Sequence, residues 1–409
     1  MRLRIEREAF ADAVTWVARA LPSRPVIPIL AGMLLEAGEG RLTLSCFDYE
    51  VSARMSADAA VAEPGRALVS GRLLAEIARS LPAQGVDLAS DGDVITLSCG
   101  NARFTLLGLP VADFPSPPQP PPAVGVVDGS EFATAVSQVA VAAGRDDTLP
   151  MLTGVLVEID GTAMTLVATD RYRMGVRELG WRPASAGIRA SALVPARTLA
   201  EAAKSMTTGT DVAISLVVAD PAGAPSGTEG GSTGHVDAPD GLIGFDGGDR
   251  RLTTRLLGTE FVTYKSRFPR EFRCSAHVAV GLFGEVIRRV ALVADRDSRL
   301  LLTFGADRLV IETGSADGSR AVETIDAEFE GEEGFAIAFK PQYLLDGIGA
   351  AAAAQARPSA ASGSDGVAAE RAAPGERRGS VTLQFTAPDK PAVITGGEGY
   401  KYLLAPMRT

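Results

Sequence analysis

The chain has 409 residues, too many for one ordinary hydrophobic core, so two to four domains are expected. Its 46% hydrophobic and 22% charged content is that of a soluble globular protein. A net charge of -10 argues against wholesale nucleic-acid binding but leaves room for a local basic surface. No apolar run is long enough to span a bilayer, and the charged, alternating start MRLRIEREAF does not read as a signal peptide. Cys46, Cys99 and Cys274 are far apart and in no metal-ligand spacing, which fits a reduced, cytoplasmic chain.

In chain order, the predicted elements repeat. From Phe10 an amphipathic stretch of about four turns leads to an apolar segment, with Arg24 just before a predicted PVIPIL strand. An alternating TL…D segment and another strand-like run follow. Phe132 opens the same order again, and a weaker third copy starts at Leu282. The second halves repeat too: LVSGRLLAEIARSLP from Leu68, LVPARTLAEAAKSM from Leu193 and AFKPQYLLDGIGA from Ala338. The first two align without a gap, 125 residues apart. Alternating runs follow each: VDLAS and VITLSC, VAISLVV and RLTTRLL, VTLQF and PAVIT. Each unit reads helix, strands, helix, strands. The class is therefore α+β, with three repeated domains, each an antiparallel sheet carrying two helices on one face. The expected boundaries are 1–122, 126–273 and 274–409. DFPSPPQPPPAVG, at 113–125, is a proline-dense extended linker. Two stretches rich in Gly, Ser, Ala and Pro, at about 219–241 and 352–379, read as loops inserted between strands.

Catalytic chemistry finds little support. His235 lies in the first insertion and His277 near a domain junction, and neither has a Cys, His or carboxylate cluster beside it, so both are expected to be solvated loop residues. No nucleophile-elbow, P-loop or dinucleotide-binding motif follows a strand. No catalytic residue, metal or cofactor is expected. Asp170 could suggest an enzyme, but Asp48 stands at the equivalent place 122 residues earlier. A carboxylate placed twice in this way is better suited to binding a turn's backbone N–H groups. The basic residues differ. Arg72 and Arg79 are seven apart on one predicted helix, and Arg197 and Lys204 repeat that spacing on its copy. Seven residues is nearly two turns, so each pair shares a face. Leu73, Leu74, Ile77 and Leu199 are expected to lie on other faces, toward a sheet. These pairs, with Arg24, Arg288 and Arg289 as further candidates, suit phosphate contacts that carry no base information. In the third copy Lys340 precedes the helix but Gly347 replaces the second basic residue.

Five strings fall in register with the repeat: SRPVIPIL at 23–30, LPVADFP at 109–115, VATDRYRM at 167–174, SRFPREFR at 266–273 and YLLAPMR at 402–408. They resemble the beta subunit of bacterial DNA polymerase III, the replicative sliding clamp family, over the whole chain except the two insertions. The resemblance implies a non-catalytic processivity factor. It would be a head-to-tail homodimeric ring of six similar domains, with helices lining the hole and sheets outside. The ring would encircle double-stranded DNA without sequence specificity, tether DNA polymerase, and meet a clamp loader and other clamp-motif-bearing replication and repair proteins. Its place would be the cytoplasm, at the nucleoid. Residue by residue, the resemblance puts Ile77, Phe104 and Leu106 on one side of the dimer joint and Leu292 and Val293 on the other. It puts Leu152, Thr169, Arg173, Met174 and Pro269 on one wall of a partner-peptide cleft. The other wall is Leu403, Leu404, Pro406, Met407 and Arg408. Arg171 and Tyr172 depart from the family, standing where a small residue and a polar ring are common. A paralogous clamp with a repair or specialised role, a non-ring scaffold, and an enzyme using the Asp170 region are the competing readings.

Overall fold

The protein is described from a computed structural model, over residues 1–206, 211–216, 241–355 and 379–408. Nearly all of both expected insertions, and His235 with them, lie outside the described residues.

Seven helices are described: α1 (Arg7–Ala18), α2 (Gly71–Ser80), α3 (Gly129–Ala140), α4 (Pro150–Thr153), α5 (Ala196–Ser205), α6 (Val280–Val290) and α7 (Pro341–Gln355). The repeat is visible in their bounds. Arg7 to Gly129 and Ala18 to Ala140 are each 122 residues, and Gly71 to Ala196 and Ser80 to Ser205 are each 125. In α2 the buried residues Leu74, Ala75, Ile77 and Ala78 recur at helical spacing, which is what commits this stretch to one face on a sheet. Leu199, Ala202 and Ala203 do the same in α5. The second insertion begins later than its composition suggested. Residues 352–355 continue α7, because the alanine run there is a strong helix former.

The chain packs as two compact units. The first comprises Met1–Ala133 and Trp181–Gly258. One of its sheets has five strands in the order Ala60–Glu63, Arg2–Ile5, Val86–Asp91, Val94–Cys99, Ala102–Leu107. The other has nine: Arg182–Pro183, Ala123–Asp128, Asp211–Leu216, Leu242–Gly247, Arg250–Arg255, Val51–Asp58, Arg41–Phe47, Gly32–Gly38, Gly65–Ser70. The first and middle repeats meet inside this nine-stranded sheet, where Arg250–Arg255 runs antiparallel to Val51–Asp58 with Leu252 opposite Ala53. Helices α1 and α2 pack side by side, and α1 lies on the strands Val51–Asp58 and Arg41–Phe47.

The second unit comprises Thr134–Gly180 and Thr259–Thr409. Here the middle and last repeats share a sheet. Its strands run Gly154–Asp160, Ala163–Thr169, Arg173–Gly180, Tyr400–Leu404, Ala392–Thr395, Ser380–Phe385, Cys274–Ala279, Glu328–Glu330. A four-stranded sheet, Arg320–Asp326, Arg308–Gly314, Leu300–Phe304, Phe335–Phe339, completes the unit. Helices α6 and α7 pack together, and rings of Phe304, Phe329, Phe335 and Phe385 meet at 5.0–6.4 Å centroid separation.

Three local expectations are corrected. PVIPIL is not a strand: Pro28–Ala31 forms a 3-10 turn and the strand starts at Gly32. Two prolines without N–H donors cannot sustain a ladder there. The proline linker is shorter than expected, since its last three residues open the strand Ala123–Asp128. Phe114, near its start, is buried with Leu34, Phe47 and Leu68. His277 is not a loop residue. It sits in the strand Cys274–Ala279, with Nδ1 at 3.1 Å from the Thr382 hydroxyl.

Candidate nucleic-acid interface and partner cleft

In the first unit, Arg72 and Arg79 both lie on the exposed side of α2, and Arg197 and Lys204 lie on the exposed side of α5. Leu73 departs from expectation. It is 46% exposed, because it flanks Arg72 at the edge of the solvent face rather than beneath it. Arg72 also braces its surroundings. Its Nη2 donates to the carbonyls of Pro22 at 2.9 Å and Ser23 at 2.8 Å. These bonds hold the root of the loop that carries Arg24. Behind that root is a pocket lined by Trp16, Arg19, Pro22, Ser23, Arg197 and Glu201, among others. Arg19 pairs with Glu201 at 3.7 Å. So the fold gathers Arg24, Arg72 and Arg197, from two different repeats, around one loop. Among the described residues, Arg24, Arg79, Arg197 and Lys204 have no ion-pair partner.

In the second unit the basic candidates divide. Arg288 is exposed and, among the described residues, unpaired. Arg289 is already engaged, with Nη2 at 2.6 Å from Glu323 and Nη1 at 3.9 Å from Glu285. Its hydrogen bond to Glu323 raises its own pKa and lowers that of Glu323, so both stay ionised. Arg289 ties α6 to the strand Arg320–Asp326 and is less available to an anion than Arg288. Gly347 explains the gap in the third basic pair. A Cβ there would stand 2.5 and 2.6 Å from ring atoms of Tyr402, so the position faces the core and admits no side chain.

The peptide-cleft candidates all fall in the second unit, and strand alternation sorts them. Met174 lies opposite both Thr169 and Leu403, so these three share one face of the sheet. Leu152, on α4, which packs against the strands Gly154–Asp160 and Ala163–Thr169, is 7% exposed, Met174 is 5% and Leu403 is 9%. Arg173 lies opposite Leu404, and both point to the other face, toward α7. Leu404 is wholly buried there, so it is core and not a cleft wall. Arg173 is also committed internally. It donates to Asp170 at 2.9 Å and to Asp346, lies 3.5 Å from the Tyr402 hydroxyl, and stacks 4.2 Å over Tyr343. Burial opposes its charge, but Tyr402 and the two carboxylates more than offset that, and its pKa is raised. Thr169 is a brace, its hydroxyl donating to Arg173 O at 2.7 Å. Pro269, Pro406 and Met407 are half-buried and Arg408 is exposed. The tail itself is held in place: Ala405 N donates to Tyr172 O, Met407 N to Ala338 O, and Arg299 to Arg408 O, each at 2.8 Å.

Asp48 and Asp170 do the same job twice. Asp48 Oδ1 accepts from the amides of Glu50 at 3.0 Å and Val51 at 2.7 Å. Asp170 Oδ1 accepts from Tyr172 at 3.0 Å and Arg173 at 3.1 Å. Both carboxylates close turns between strands, as the repeat suggested. Each unit also ends a sheet on an open edge. Phe104 is half-buried on Ala102–Leu107, and Leu107 beside it is 79% exposed. Ile77 and Leu106, expected at that joint, are each 6% exposed in the single chain, about as covered as Leu152, Met174 and Leu403. On the second unit Leu292 is 83% exposed, Val293 is half-buried, and Val322 on the edge strand Arg320–Asp326 is 59% exposed.

Comparison with known proteins decides the family. The N-terminal, central and C-terminal domain models of the DNA polymerase III beta subunit match residues 1–118, 126–262 and 265–367. The beta sliding clamp of Streptomyces coelicolor is 46% identical over 416 aligned positions, covering 100% of this chain and 99% of that protein. The chain belongs to the bacterial DNA polymerase III beta subunit family, the beta sliding clamps. The clamp of Micrococcus luteus is 41% identical over 81% of this chain and 100% of its own. Among solved structures, the DNA polymerase III subunit beta of Pseudomonas aeruginosa superposes with a TM-score of 0.80 at 22% identity, and Caulobacter crescentus pol III beta with 0.79 at 25%. Both comparisons cover 100% of both chains.

Some features of this clamp were beyond the reach of sequence reasoning. Arg72's grip on the Pro22 and Ser23 carbonyls spans about 50 residues and has no local signature. Tyr343 and Asp346, which hold Arg173, look like ordinary polar positions on α7. The split between Leu403 and Leu404 could have been found, because adjacent residues of a strand must face opposite ways.

Proposed function

We propose that two copies of this clamp, each with repeat units 1–122, 126–273 and 274–409, close head to tail into a ring around double-stranded DNA. The ring tethers a DNA polymerase by topology, without catalysing a reaction and without reading sequence. The observation that carries the DNA contact is the set of exposed cations with no ion-pair partner among the described residues, Arg79 on α2 and its counterpart Lys204 on α5, with Arg197 beside it, in a chain of net charge -10. Arg24, Arg72 and Arg288 add to it. Ionic contacts to phosphate are indifferent to base identity, which suits a protein that must slide. The half-buried Pro406 and Met407, with the more deeply buried Leu152, Met174 and Leu403, would take a short apolar peptide from polymerase, clamp loader and other replication and repair proteins of the cytoplasm. Methionine and leucine let one pocket accept several related peptides. The test is topological. Assembled on closed circular DNA with a clamp loader, the protein should stay bound through a gel-filtration column and run off once the circle is cut. Retention on the linear form, or no retention on the circle, would rule out a ring.

A further inference from the structure

The loop between α1 and the strand Gly32–Gly38 ends in an apolar tip that nothing in its own unit covers. Val26 is 93% exposed and Ile27 is 46% exposed. Two adjacent aliphatic side chains in water gain free energy when a partner covers them. The tip is also stiff. Pro25 and Pro28 flank it and restrict its backbone, and Arg72 holds its root by the carbonyls of Pro22 and Ser23. A stiff tip loses little conformational entropy when it docks. Two arginines without an ion-pair partner among the described residues stand by it: Arg24 is exposed on the same loop, and Arg197 lines the pocket behind the root, where Glu201 is paired with Arg19 and Asp48 also contributes.

An apolar point set among arginines matches a polyanion that also offers carbon surface at short, regular intervals. Duplex DNA does so, with phosphates for the guanidiniums and deoxyribose carbons for the tip. A base contact would favour certain sequences, whereas deoxyribose is the same at every nucleotide, so a sugar contact costs a sliding protein nothing in generality. We propose that Val26 and Ile27 make a non-ionic contact with the deoxyribose wall of duplex DNA, in addition to the phosphate contacts of the arginines. The inference rests on the DNA reading given above.

Salt separates the two kinds of contact. Each phosphate contact steepens the fall of log affinity with log salt by about 0.9, while an apolar contact shifts the whole line without changing its slope. The full-length protein would be titrated with a short labelled duplex across a salt series. Val26→Ser with Ile27→Ser should weaken binding about tenfold at every salt concentration, with the slope unchanged. Val26→Leu with Ile27→Leu, which keeps the apolar area, should bind like the parent. Arg24→Ala with Arg79→Ala and Arg197→Ala should flatten the slope instead. The tip is solvent-exposed, so the serine variant folds, and circular dichroism checks this. Parental affinity for the serine variant overturns the proposal while leaving the DNA reading intact. A loss seen only with DNA bearing a single-stranded overhang, or only with certain base sequences, also overturns it, in favour of a base contact. An unchanged slope in the arginine variant overturns the DNA reading itself and this proposal with it.

Discussion

Tyr49 and Arg171 occupy the left-handed region, with φ of 74° and 82°. They are equivalent positions, each just after the aspartate that closes its turn. For residues with a Cβ this conformation costs roughly 1–2 kcal/mol, and only the turn's hydrogen bonds hold them there. Glycine adopts it without that penalty but loses more chain entropy on folding. Tyr49→Gly and Arg171→Gly should therefore each raise stability slightly, by up to about 1 kcal/mol, in urea or thermal unfolding. A loss of stability would mean that the Tyr49 ring, which packs 5.4 Å from Phe47, or the Arg171 side chain contributes more than the strain costs. Cys46 shows another residue-level effect. Full burial pushes its thiol pKa up to about 12, so almost no thiolate exists at neutral pH. Alkylation of the folded protein should reach the partly exposed Cys274 well before Cys46, with mass spectrometry of timed digests as the readout.

At the scale of elements, the last strand and the tail after it have separate roles. Tyr402 and Leu404 face α7 and complete the core, whereas Leu403 faces the other way, beside Met174. Removing residues 406–409 therefore takes away one wall of the proposed cleft and the Met407-to-Ala338 bond but leaves the strand in place. The truncated protein should still encircle DNA and should lose peptide binding and polymerase stimulation together. One well-buried apolar anchor is worth about 2 kcal/mol or more, near thirtyfold in affinity. Titration of a short polymerase-derived peptide into both forms is the check, and equal affinities would mean that the tail is only structural. The helices were the most legible elements, because α1 with α3 and α2 with α5 repeat at fixed offsets and carry plain apolar stripes. The PVIPIL segment was misread because its apolar content outweighed its prolines, although the missing N–H groups decide what the backbone can do.

For the whole molecule, the proposed assembly joins the open sheet edges. Unpaired strand edges invite pairing, and an asymmetric contact between two different edges closes a ring only when the rotation between copies permits it. Phe104 and Leu107 on one edge, and Leu292 and Val322 on the other, supply apolar surface. Leu292→Arg should give monomers in analytical ultracentrifugation without loss of folding, since the side chain is 83% exposed in the single chain. Phe104→Arg should do the same by placing an unpaired charge at the joint. A dimer that survives both substitutions would place the joint elsewhere.

The sequence by itself determined the α+β class, the threefold repeat, the helix offsets, the family and the turn-closing role of Asp48 and Asp170, because each of these is written in local periodicity or in strings that recur. Only the tertiary structure decided which candidates are still available to a partner. Arg289 and Arg173 carry the right charge but are already held by Glu323 and by Asp170 and Asp346. Leu404 is apolar but wholly covered by its own chain, while Val26 is left bare. Those outcomes depend on which residues meet across long stretches of chain. A charge or an apolar group is free to bind a partner only when the fold has not already satisfied it, and one-dimensional spacing carries no record of that.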